Sequence, residues 1–456
     1  MDPSKLSELL LIWLGVMGLL VLVRFRWNMA GTGLTVAYLF NLSLIHLVGA
    51  AIYLLPAFQD HDPRLTEMGF EQSLYGVVAF AVGGLIITPL LAYKGLLPRA
   101  KGTHRPDPRL PKAYTVCGVL FYLLSATFLG RLPTARAIIS TGQQLVVVGL
   151  ALCCWRAWRE GDTRRLIGWL AISFVLPFMT LMTAGFLGYG AVAVLTILIF
   201  VASFVRSPLK VVLPGALVVY LGLSVFVSYM RDRGDIRATV WGGQSFSDRI
   251  DSISKTVKTF EWFDPADWEH LQRIDVRLNQ NFLVGAAVYQ LGQTQAYARG
   301  ETLWDALFAL IPRAIWPDKP IEAGSGNLVS RYTGIDFAPD TSVGVGQVLE
   351  FYLNFGTSGV VIGFIIMGVV ITALDWQAAE RLARSDLRGF VLYFLPGVAL
   401  LQVGGQLVEL TASAAASLIV AFLVNRYLDR LHARPAISQS PYAPPLPRLR
   451  SSPRNV

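Results

Sequence analysis

The sequence predicts an all-α, polytopic membrane protein with about eleven transmembrane helices and one long, partly helical external loop. Its 456 residues are 54% hydrophobic and 15% charged, whereas soluble domains carry about 25% charged residues. Apolar runs of about 18 or more residues recur along the chain, and this is the length that a helix needs to cross a bilayer. Because lipid offers the backbone no hydrogen-bond partners, each run is predicted to be helical.

The predicted spans divide the chain into four regions. The spans lie at 6–23, 34–55, 74–97, 113–130, 137–155, 166–183, 186–205, 210–229, 351–374, 389–408 and 410–427. The first eight form a membrane domain over residues 1–229, and the last three form a second one over 351–433. Residues 230–350 are the external loop. Residues 434–456 are rich in Pro, Ser and Arg, and they are predicted to be a disordered cytoplasmic tail.

Lysine and arginine are distributed unevenly between the connections. They are concentrated in 24–33, 98–112, 156–165, 206–209, 375–388 and the tail, whereas 1–8, 56–73 and 131–136 together hold more acidic than basic residues. The positive-inside rule assigns the first set to the cytoplasm, so the N-terminus and the long loop are external and the C-terminus is cytoplasmic. This bias accounts for most of the net charge of +9 and argues against a nucleic-acid surface.

Three helices are predicted within the long loop. Apolar residues at helical spacing mark Ser247–Phe260, and further helices are expected at Asn279–Gln293 and Thr302–Ile311, where Pro312 ends the third. Four tryptophans suit the headgroup level, namely Trp262, Trp268, Trp304 and Trp316. We therefore expect short helices that lie on the outer membrane face.

An arginine-rich motif follows the eighth predicted span. Residues 231–237 read RDRGDIR and contain Arg231, Arg233 and Arg237. The planar guanidinium binds phosphate oxygens in pairs, and lipid phosphates lie at this depth, so the motif could hold a polyprenyl-pyrophosphate headgroup. The alternative is ordinary flanking charge with local Arg–Asp pairing.

A proline-rich turn forms a second candidate site. Its three prolines restrict the backbone around Arg313, Asp318 and Lys319, with Trp316 beside them to pack on the C–H face of a sugar. The alternative is a turn that only returns the chain to the membrane.

Gln347, Glu350 and Asn354 form a third candidate site. Their spacing places one acid and two amides on one helix face at the start of span nine. Such groups are costly in a bilayer unless they face a cavity, and a carboxylate there could take a proton from a sugar hydroxyl. The alternative is an acid that is stabilised by the helix dipole.

The remaining polar positions give weaker signals. Asp60 and Asp62 could bind a divalent metal, and His46, Asn41 and Glu409 lie in or beside spans, although a packed histidine is the commoner role for His46. The three cysteines fall in apolar runs and indicate neither a disulfide nor a metal site. No P-loop or cysteine–histidine metal spacing is present in the sequence, so we predict no metal and no cofactor.

Together these features resemble a known family. Residues 312–320 read PRAIWPDKP, and residues 346–356 read GQVLEFYLNFG. With the many spans and the arginine-rich entry into a late external loop, the region 210–375 resembles the oligosaccharide repeat-unit (O-antigen or exopolysaccharide) polymerases of bacterial inner membranes, the Wzy type. The rest of the chain is similar in hydropathy only.

The resemblance implies a glycosyltransferase reaction at the periplasmic face of the inner membrane. A growing glycan moves from undecaprenyl pyrophosphate to the non-reducing-end hydroxyl of a new lipid-linked repeat unit, and undecaprenyl pyrophosphate leaves. The resemblance implies roles for the loop arginines, which are Arg231, Arg233, Arg237 and Arg313, and it aligns Glu350 and Asn354 with the family's acid-then-NFG segment. The implied partners are undecaprenyl-pyrophosphate-linked oligosaccharide and membrane lipid, with a chain-length regulator as a candidate protein partner.

The resulting hypothesis assigns a role to each candidate residue. The four arginines and Lys319 hold the pyrophosphate, and Glu350 is the general base, with Asp318 as the second choice. Three alternatives stay open. The first is an O-antigen ligase, which would be expected to rely on an external histidine, and nothing around His270 marks such a site. The others are a transferase that uses a lipid-phosphate sugar and depends on Asp60 and Asp62, and a polysaccharide transporter or flippase.

Overall fold

The computed structural model describes residues 3–26, 31–58, 61–100, 102, 107–125, 127, 133–205, 207, 209–311, 315–316, 325–338, 341 and 343–432. Over these ranges the chain is helical and contains no β-strand. The disordered tail predicted at 434–456 lies outside the described residues, as do most residues of the proline-rich turn.

Eight helices of the described chain are long and apolar enough to cross a membrane. They are Lys5–Val23, Leu34–Leu54, Arg64–Tyr93, Ile138–Arg159, Thr163–Ala184, Leu209–Trp241, Gln347–Ala383 and Leu407–Leu431. Three shorter apolar helices, Leu110–Ser125, Gly188–Ala202 and Leu387–Ala399, coincide with the other three predicted spans. These helices fit a membrane protein, whereas the count of eleven and the orientation stay predictions.

The first half of the chain forms ten α-helices: α1 (Pro3–Arg26), α2 (Leu34–Ala51), α3 (Arg64–Val82), α4 (Thr88–Tyr93), α5 (Leu110–Ser125), α6 (Pro133–Gln143), α7 (Leu145–Arg159), α8 (Thr163–Ser173), α9 (Val175–Ala184) and α10 (Gly188–Ala202). A π-helical turn, Gly83–Ile87, joins α3 to α4. The predicted break near residue 184 is confirmed, because Gly185 ends α9 with a φ of 73°. Such a left-handed residue is the common end of a helix.

The second half begins with α11 (Leu209–Trp241), and the predicted loop then contains α12 (Phe246–Lys258), α13 (Trp268–Leu278), α14 (Asn281–Thr294), α15 (Glu301–Ala309) and α16 (Ser325–Thr333). The chain continues with α17 (Gln347–Ala383), α18 (Leu387–Ala399) and α19 (Leu407–His432). The three predicted loop helices are confirmed as α12, α14 and α15, whereas α13 and α16 were not predicted.

Helix α17 packs against α3 and the π-helical turn that follows it, and glycines lie at the contact. A Cβ on Gly83 would lie 2.3 Å from the backbone oxygen of Ile365, and a Cβ on Gly368 would lie 2.4 Å from that of Phe80. Small residues at these positions let the two backbones approach closely, as is common between helices in lipid. The result is a rigid pair around which α2, α14 and α18 pack.

Helix α17 breaks after Asn354. Phe355 and Gly356 leave the helical conformation, and Gly356 has a φ of 61° and a ψ of −150°, which favour glycine. The carbonyls of Leu353 and Asn354 accept hydrogen bonds from the backbone N–H groups of Ala298 (2.9 Å) and Arg299 (3.2 Å). The break therefore joins the loop to α17, and Gln347–Asn354 form a short segment ahead of the longer apolar helix.

Helix α14 buries one side against α3 and leaves Phe282 and Tyr289 exposed, whereas the loop helices were expected to lie on the outer membrane face. Its small residues Gly285, Ala286 and Ala287 are buried, and a Cβ on Gly285 would lie 1.8 Å from the backbone oxygen of Leu65 in α3. Successive helical residues point about 100° apart, so these three small residues leave a large part of the helix circumference open to the close approach of other helices.

Candidate functional site

The arginine-rich motif is helical, because α11 continues past the predicted end of span eight to Trp241. Arg233 and Arg237 are four residues apart, so they share one face of α11. Arg231 is two residues from Arg233 and therefore lies on a different face. The helix thus separates three arginines that the sequence presents as one motif.

Arg231 is engaged by groups of the protein itself. Its Nε and Nη2 donate to the two carboxylate oxygens of Asp232, both at 2.8 Å, and its Nη1 donates to Glu261 Oε1 at 2.6 Å. The same Nη1 also donates to the carbonyl of Thr259 at 2.7 Å. Arg231 therefore fastens the segment after α12 to α11, and we do not retain it as a phosphate ligand.

Arg233 and Arg237 lie close enough to a third arginine, Arg277 at the end of α13, for their charges to interact. The charges of Arg237 and Arg277 both act on Arg233, and desolvation together with the charge of Arg237 lowers the pKa of Arg277. Among the described residues no carboxylate lies within 4.0 Å of these three guanidiniums. We call Arg233, Arg237 and Arg277 the arginine cluster. Like charges held together without a counter-charge form a site for an anion.

Aromatic rings fix the position of Arg237. Its guanidinium carbon lies 4.4 Å from the ring centre of Phe186 and 5.2 Å from that of Trp241. A cation over an aromatic face is stabilised electrostatically, and the Nε of Arg237 also donates to the carbonyl of Gly185 at 3.5 Å. The indole N–H of Trp241 donates to the carbonyl of Ala184 at 3.1 Å, so α11 is held against the end of α9.

Glu261 is the centre of an ion-pair network beside the arginine cluster. Besides Arg231, it accepts from Arg273 Nη1 at 2.9 Å, and His270 Nε2 lies 3.3 Å from it. Desolvation alone raises the pKa of Glu261, but the hydrogen bonds from Arg231, Arg273 and His270 outweigh it and hold the pKa below 4.5. The carboxylate is therefore charged at neutral pH, and it joins α11 to α13.

We expect Glu261→Gln to lower the free energy of unfolding by about 1–2 kcal/mol at neutral pH, because the variant keeps the shape but loses the charge. A depressed folded-state pKa gives stability that is complete above the unfolded value of 4.5 and is lost as the pH falls through the folded value. The two proteins should therefore differ in thermal midpoint near neutral pH and converge in acid.

Glu269→Gln is the matched control for the Glu261 network. Glu269 also pairs with Arg273, at 2.9 Å, but its side chain is 69% exposed. An exposed pair contributes about 0.2–1 kcal/mol, so the control should differ little from wild type at any pH. Equal losses in the two variants would contradict the central role of Glu261.

Gln347, Glu350 and Asn354 share one face of α17, as predicted, and all three are buried. Asn354 is fully engaged: its amide donates to Thr302 Oγ1 and to the carbonyl of Glu350, both at 2.7 Å, and its oxygen accepts from Gly300 N at 2.9 Å. Its role in the structure is to attach α15 to α17 at the helix break.

Glu350 caps a different helix from its own. Its Oε2 accepts from the backbone N–H of Leu407 at 2.7 Å, and Leu407 is the first residue of α19. A carboxylate at a helix N-terminus is stabilised by the unpaired N–H groups and by the dipole. The side chain of Glu350 is 1% exposed, so it cannot touch a substrate unless the surrounding loops open.

Gln347 belongs to a group of carboxamides with unpaired polar atoms. Its oxygen accepts from the hydroxyl of Tyr38, but its Nε2 is buried without a partner. Asn41 Oδ1 and Gln280 Oε1 are also buried and unpaired. The backbones of Gly346 and Gln347 donate to Gly404 (3.1 Å) and Val403 (3.2 Å), and Gln280 N donates to Ile45 O at 3.0 Å. We call Asn41, Gln280 and Gln347 the amide layer.

Unpaired buried amides are rare because each costs free energy, and they commonly mark a site for water or a polar ligand. Exchanging the oxygen and nitrogen of the Gln347 amide does not remove the problem, since one of the two atoms still lacks a partner. The amide layer is therefore suited to bind hydroxyl groups, which both donate and accept.

Glu409 is an exposed carboxylate on the helix that Glu350 caps. It lies in the first turn of α19, two residues after the N–H that Glu350 caps, and its charge acts on both Glu350 and Tyr189. The ring of Tyr189 lies 5.9 Å from that of Phe186, which packs under Arg237. Glu409 and the arginine cluster thus lie at the same end of the molecule.

A family model described as "Domain of unknown function (DUF8712)" matches residues 107–432. The chain belongs to the DUF8712 family. No curated protein and no solved structure matches it. The DUF8712 segment contains the whole arginine cluster, Glu350 and Glu409, whereas Asn41 and Tyr38 of α2 precede it. The site therefore combines the DUF8712 segment with a helix from outside the matched residues.

The remaining candidate residues from the sequence are only partly covered by the structure. Arg313, Asp318, Lys319 and Asp60 lie outside the described residues, so the structure does not place them. Trp316 is described, and its ring lies 5.5 Å from Phe308 of α15. His46 is buried, with its Nδ1 2.7 Å from Asn281 Oδ1 and 2.9 Å from Ser73 Oγ, which indicates a packing role.

Proposed function

We propose that this protein polymerises oligosaccharide repeat units that are carried on undecaprenyl pyrophosphate, at the periplasmic face of the bacterial inner membrane. The observation that supports the proposal most is the arginine cluster. It joins three cations, with no carboxylate within 4.0 Å in the described part of the chain, at the end of a helix long and apolar enough to cross a membrane, and guanidinium groups suit the phosphate oxygens of a lipid pyrophosphate.

On the donor side, the arginine cluster binds the pyrophosphate that links the growing glycan to its lipid. Guanidinium groups form paired hydrogen bonds with phosphate oxygens, and they stabilise the negative charge that develops as undecaprenyl pyrophosphate leaves. The lipid–pyrophosphate bond supplies the driving force for the transfer. A chain-length regulator stays a candidate partner.

On the acceptor side, Glu409 takes the proton from the attacking hydroxyl of the new repeat unit. Glu350, the base in the sequence-based hypothesis, is buried and caps α19, so we assign it the role of a positioning residue for Glu409. Within the amide layer only Gln280 is partly exposed, so it is the member that contacts a further hydroxyl of the acceptor sugar, whereas the buried Asn41 and Gln347 are suited to ordered water. General base catalysis of this kind contributes about 10²–10⁴-fold to a rate.

Two substitutions distinguish the carboxylates. We expect Glu409→Gln to reduce polymer formation about a hundredfold or more without a change in thermal midpoint, because the variant keeps the size of the side chain but cannot take a proton. Glu350→Gln keeps an oxygen that can accept from the Leu407 N–H, so polymer formation should fall less in this variant than in Glu409→Gln. The initial rate of polymer formation measures both. A larger loss in Glu350→Gln would return the base role to Glu350.

The function itself is tested with purified protein and a lipid-pyrophosphate-linked repeat unit from the host of this protein. A ladder of products on a gel, together with release of undecaprenyl pyrophosphate, is the expected result. Transfer to a lipid A core instead would make the protein a ligase. Neither product from folded protein would contradict the proposal and favour the monosaccharide transferase or the transporter.

A further inference from the structure

A cleft of about 460 Å³ opens between the beginning of α5, the end of α7 and the beginning of α8. Its lining includes Lys112, Arg156, Arg165, Gly168, Trp169 and Ile172. The apolar helix Thr163–Ala184 begins beside this cleft and ends next to Gly185, which contacts Arg237. The cleft and the arginine cluster therefore lie at opposite ends of one span, and the cleft takes no part in the proposed function.

The cleft has more positive than negative charge. Three basic side chains line it against one acid, Glu160, which binds Arg156 at 2.6 Å and Arg165 at 3.4 Å. Arg165 also pairs with Asp162, outside the lining, at 3.0 Å. Lys112 is exposed, and in the described part of the chain no carboxylate lies within 4.0 Å of its amine. A positive charge thus stays available for an anionic ligand.

The cleft lies where two spans end. Ile138–Arg159 ends and Thr163–Ala184 begins beside it, and the ends of spans are where the headgroups of a bilayer lie. Trp169 suits this level as well. One and two turns further along α5 from Lys112, Val116 and Leu120 are exposed, as is Ile172 one turn from Gly168 on α8. The basic cleft therefore continues into apolar surface on the membrane side.

We propose that this cleft binds one anionic diacyl phospholipid. The headgroup phosphate lies against Lys112 and the guanidiniums of Arg156 and Arg165, and an acyl chain follows the apolar residues of α5 and α8. Basic pockets between helices at the cytoplasmic surface are typical sites for anionic lipid headgroups. The apolar continuation favours a lipid over a soluble phosphate, which would leave that surface uncovered.

The test is native mass spectrometry of the full chain, freed of lipid in detergent and then given phosphatidylglycerol or phosphatidylcholine with identical acyl chains. We expect the protein to retain one molecule of phosphatidylglycerol in preference to phosphatidylcholine. Lys112→Ala should weaken its retention about fivefold, as is usual for one basic residue near a lipid surface. Arg164→Ala removes the same charge from an exposed position of α8 outside the cleft lining and should have little effect.

Gly168→Leu provides the steric test. A Cβ at Gly168 meets no atom within 4 Å, so leucine can be accommodated and will project into the cleft. We expect this variant to keep its thermal midpoint and to lose the preferred lipid. Equal retention of the two lipids, or unchanged phosphatidylglycerol retention in Gly168→Leu, would overturn the proposal. Displacement of the lipid by glycerol phosphate or inorganic phosphate would also overturn it, in favour of a soluble anion. A dimer that Gly168→Leu dissociates would instead assign the cleft to a second copy.

Discussion

Arg277→Gln is expected to reduce polymer formation about a hundredfold while the protein stays folded, because removal of one charge-stabilising donor commonly costs 10²–10³-fold in rate. Arg277 has no carboxylate partner among the described residues, so its replacement breaks no ion pair. The substitution also reduces the repulsion with Arg237 that lowers the pKa of Arg277. The thermal midpoint should therefore stay the same or rise, and the initial rate on the lipid-linked repeat unit should fall.

Arg273→Gln is the matched control, one turn earlier on α13. Arg273 binds Glu261 and Glu269, both at 2.9 Å, so this variant should lose stability and keep its rate per folded molecule. The two arginines are thus expected to show opposite patterns of stability and activity. Equal activity losses in both variants would contradict the distinction between the arginine cluster and the ion-pair network. An active Arg277→Gln protein would remove the main support for the pyrophosphate site.

The arginine motif shows how much of the site could be predicted from the sequence. RDRGDIR at the end of a span indicated a basic site, but the sequence does not give the length of α11. Because the helix continues through the motif, Arg231 and Arg233 point in different directions, and only one of them joins the cluster. Arg277, 40 residues beyond Arg237, is brought there by the packing of α13 against α11 and α2, which no local pattern reports.

The face of Gln347, Glu350 and Asn354 was predictable because helical spacing is a local property. Their partners were not, since they come from distant segments: Tyr38 binds Gln347, Leu407 binds Glu350, and Thr302 binds Asn354. The chemical roles depend on these partners. Eight of the predicted spans coincide with helices long and apolar enough to cross a membrane, because hydropathy and length decide such helices. The burial of α14 depends on a close helix contact that hydropathy does not show.

The close contact between α14 and α3 gives the largest expected effect on the stability of the protein. A Cβ on Gly285 would lie 1.8 Å from the backbone oxygen of Leu65, and a Cβ on Gly69 would lie 1.9 Å from that of Asn281. Both obstacles are backbone atoms, so no side-chain rotation can relieve the clash. Gly285→Ala must therefore move α14 away from α3, and we expect a loss of about 3 kcal/mol or more in the free energy of unfolding.

Gly292→Ala, two turns later on α14, is the control, because a Cβ there meets no atom within 4 Å. Alanine is the better helix former by about 1 kcal/mol, so this variant should match or exceed the wild type in thermal midpoint.

Moving α14 in Gly285→Ala also breaks the contact of Asn281 with His46 (2.7 Å) and that of Gln280 N with Ile45 O (3.0 Å). The second contact positions Gln280 in the amide layer, so residual folded protein should bind the acceptor poorly. A Gly285→Ala protein that melts with the wild type would contradict the burial of α14 against α3, and with it the placement of Gln280 beside Gln347.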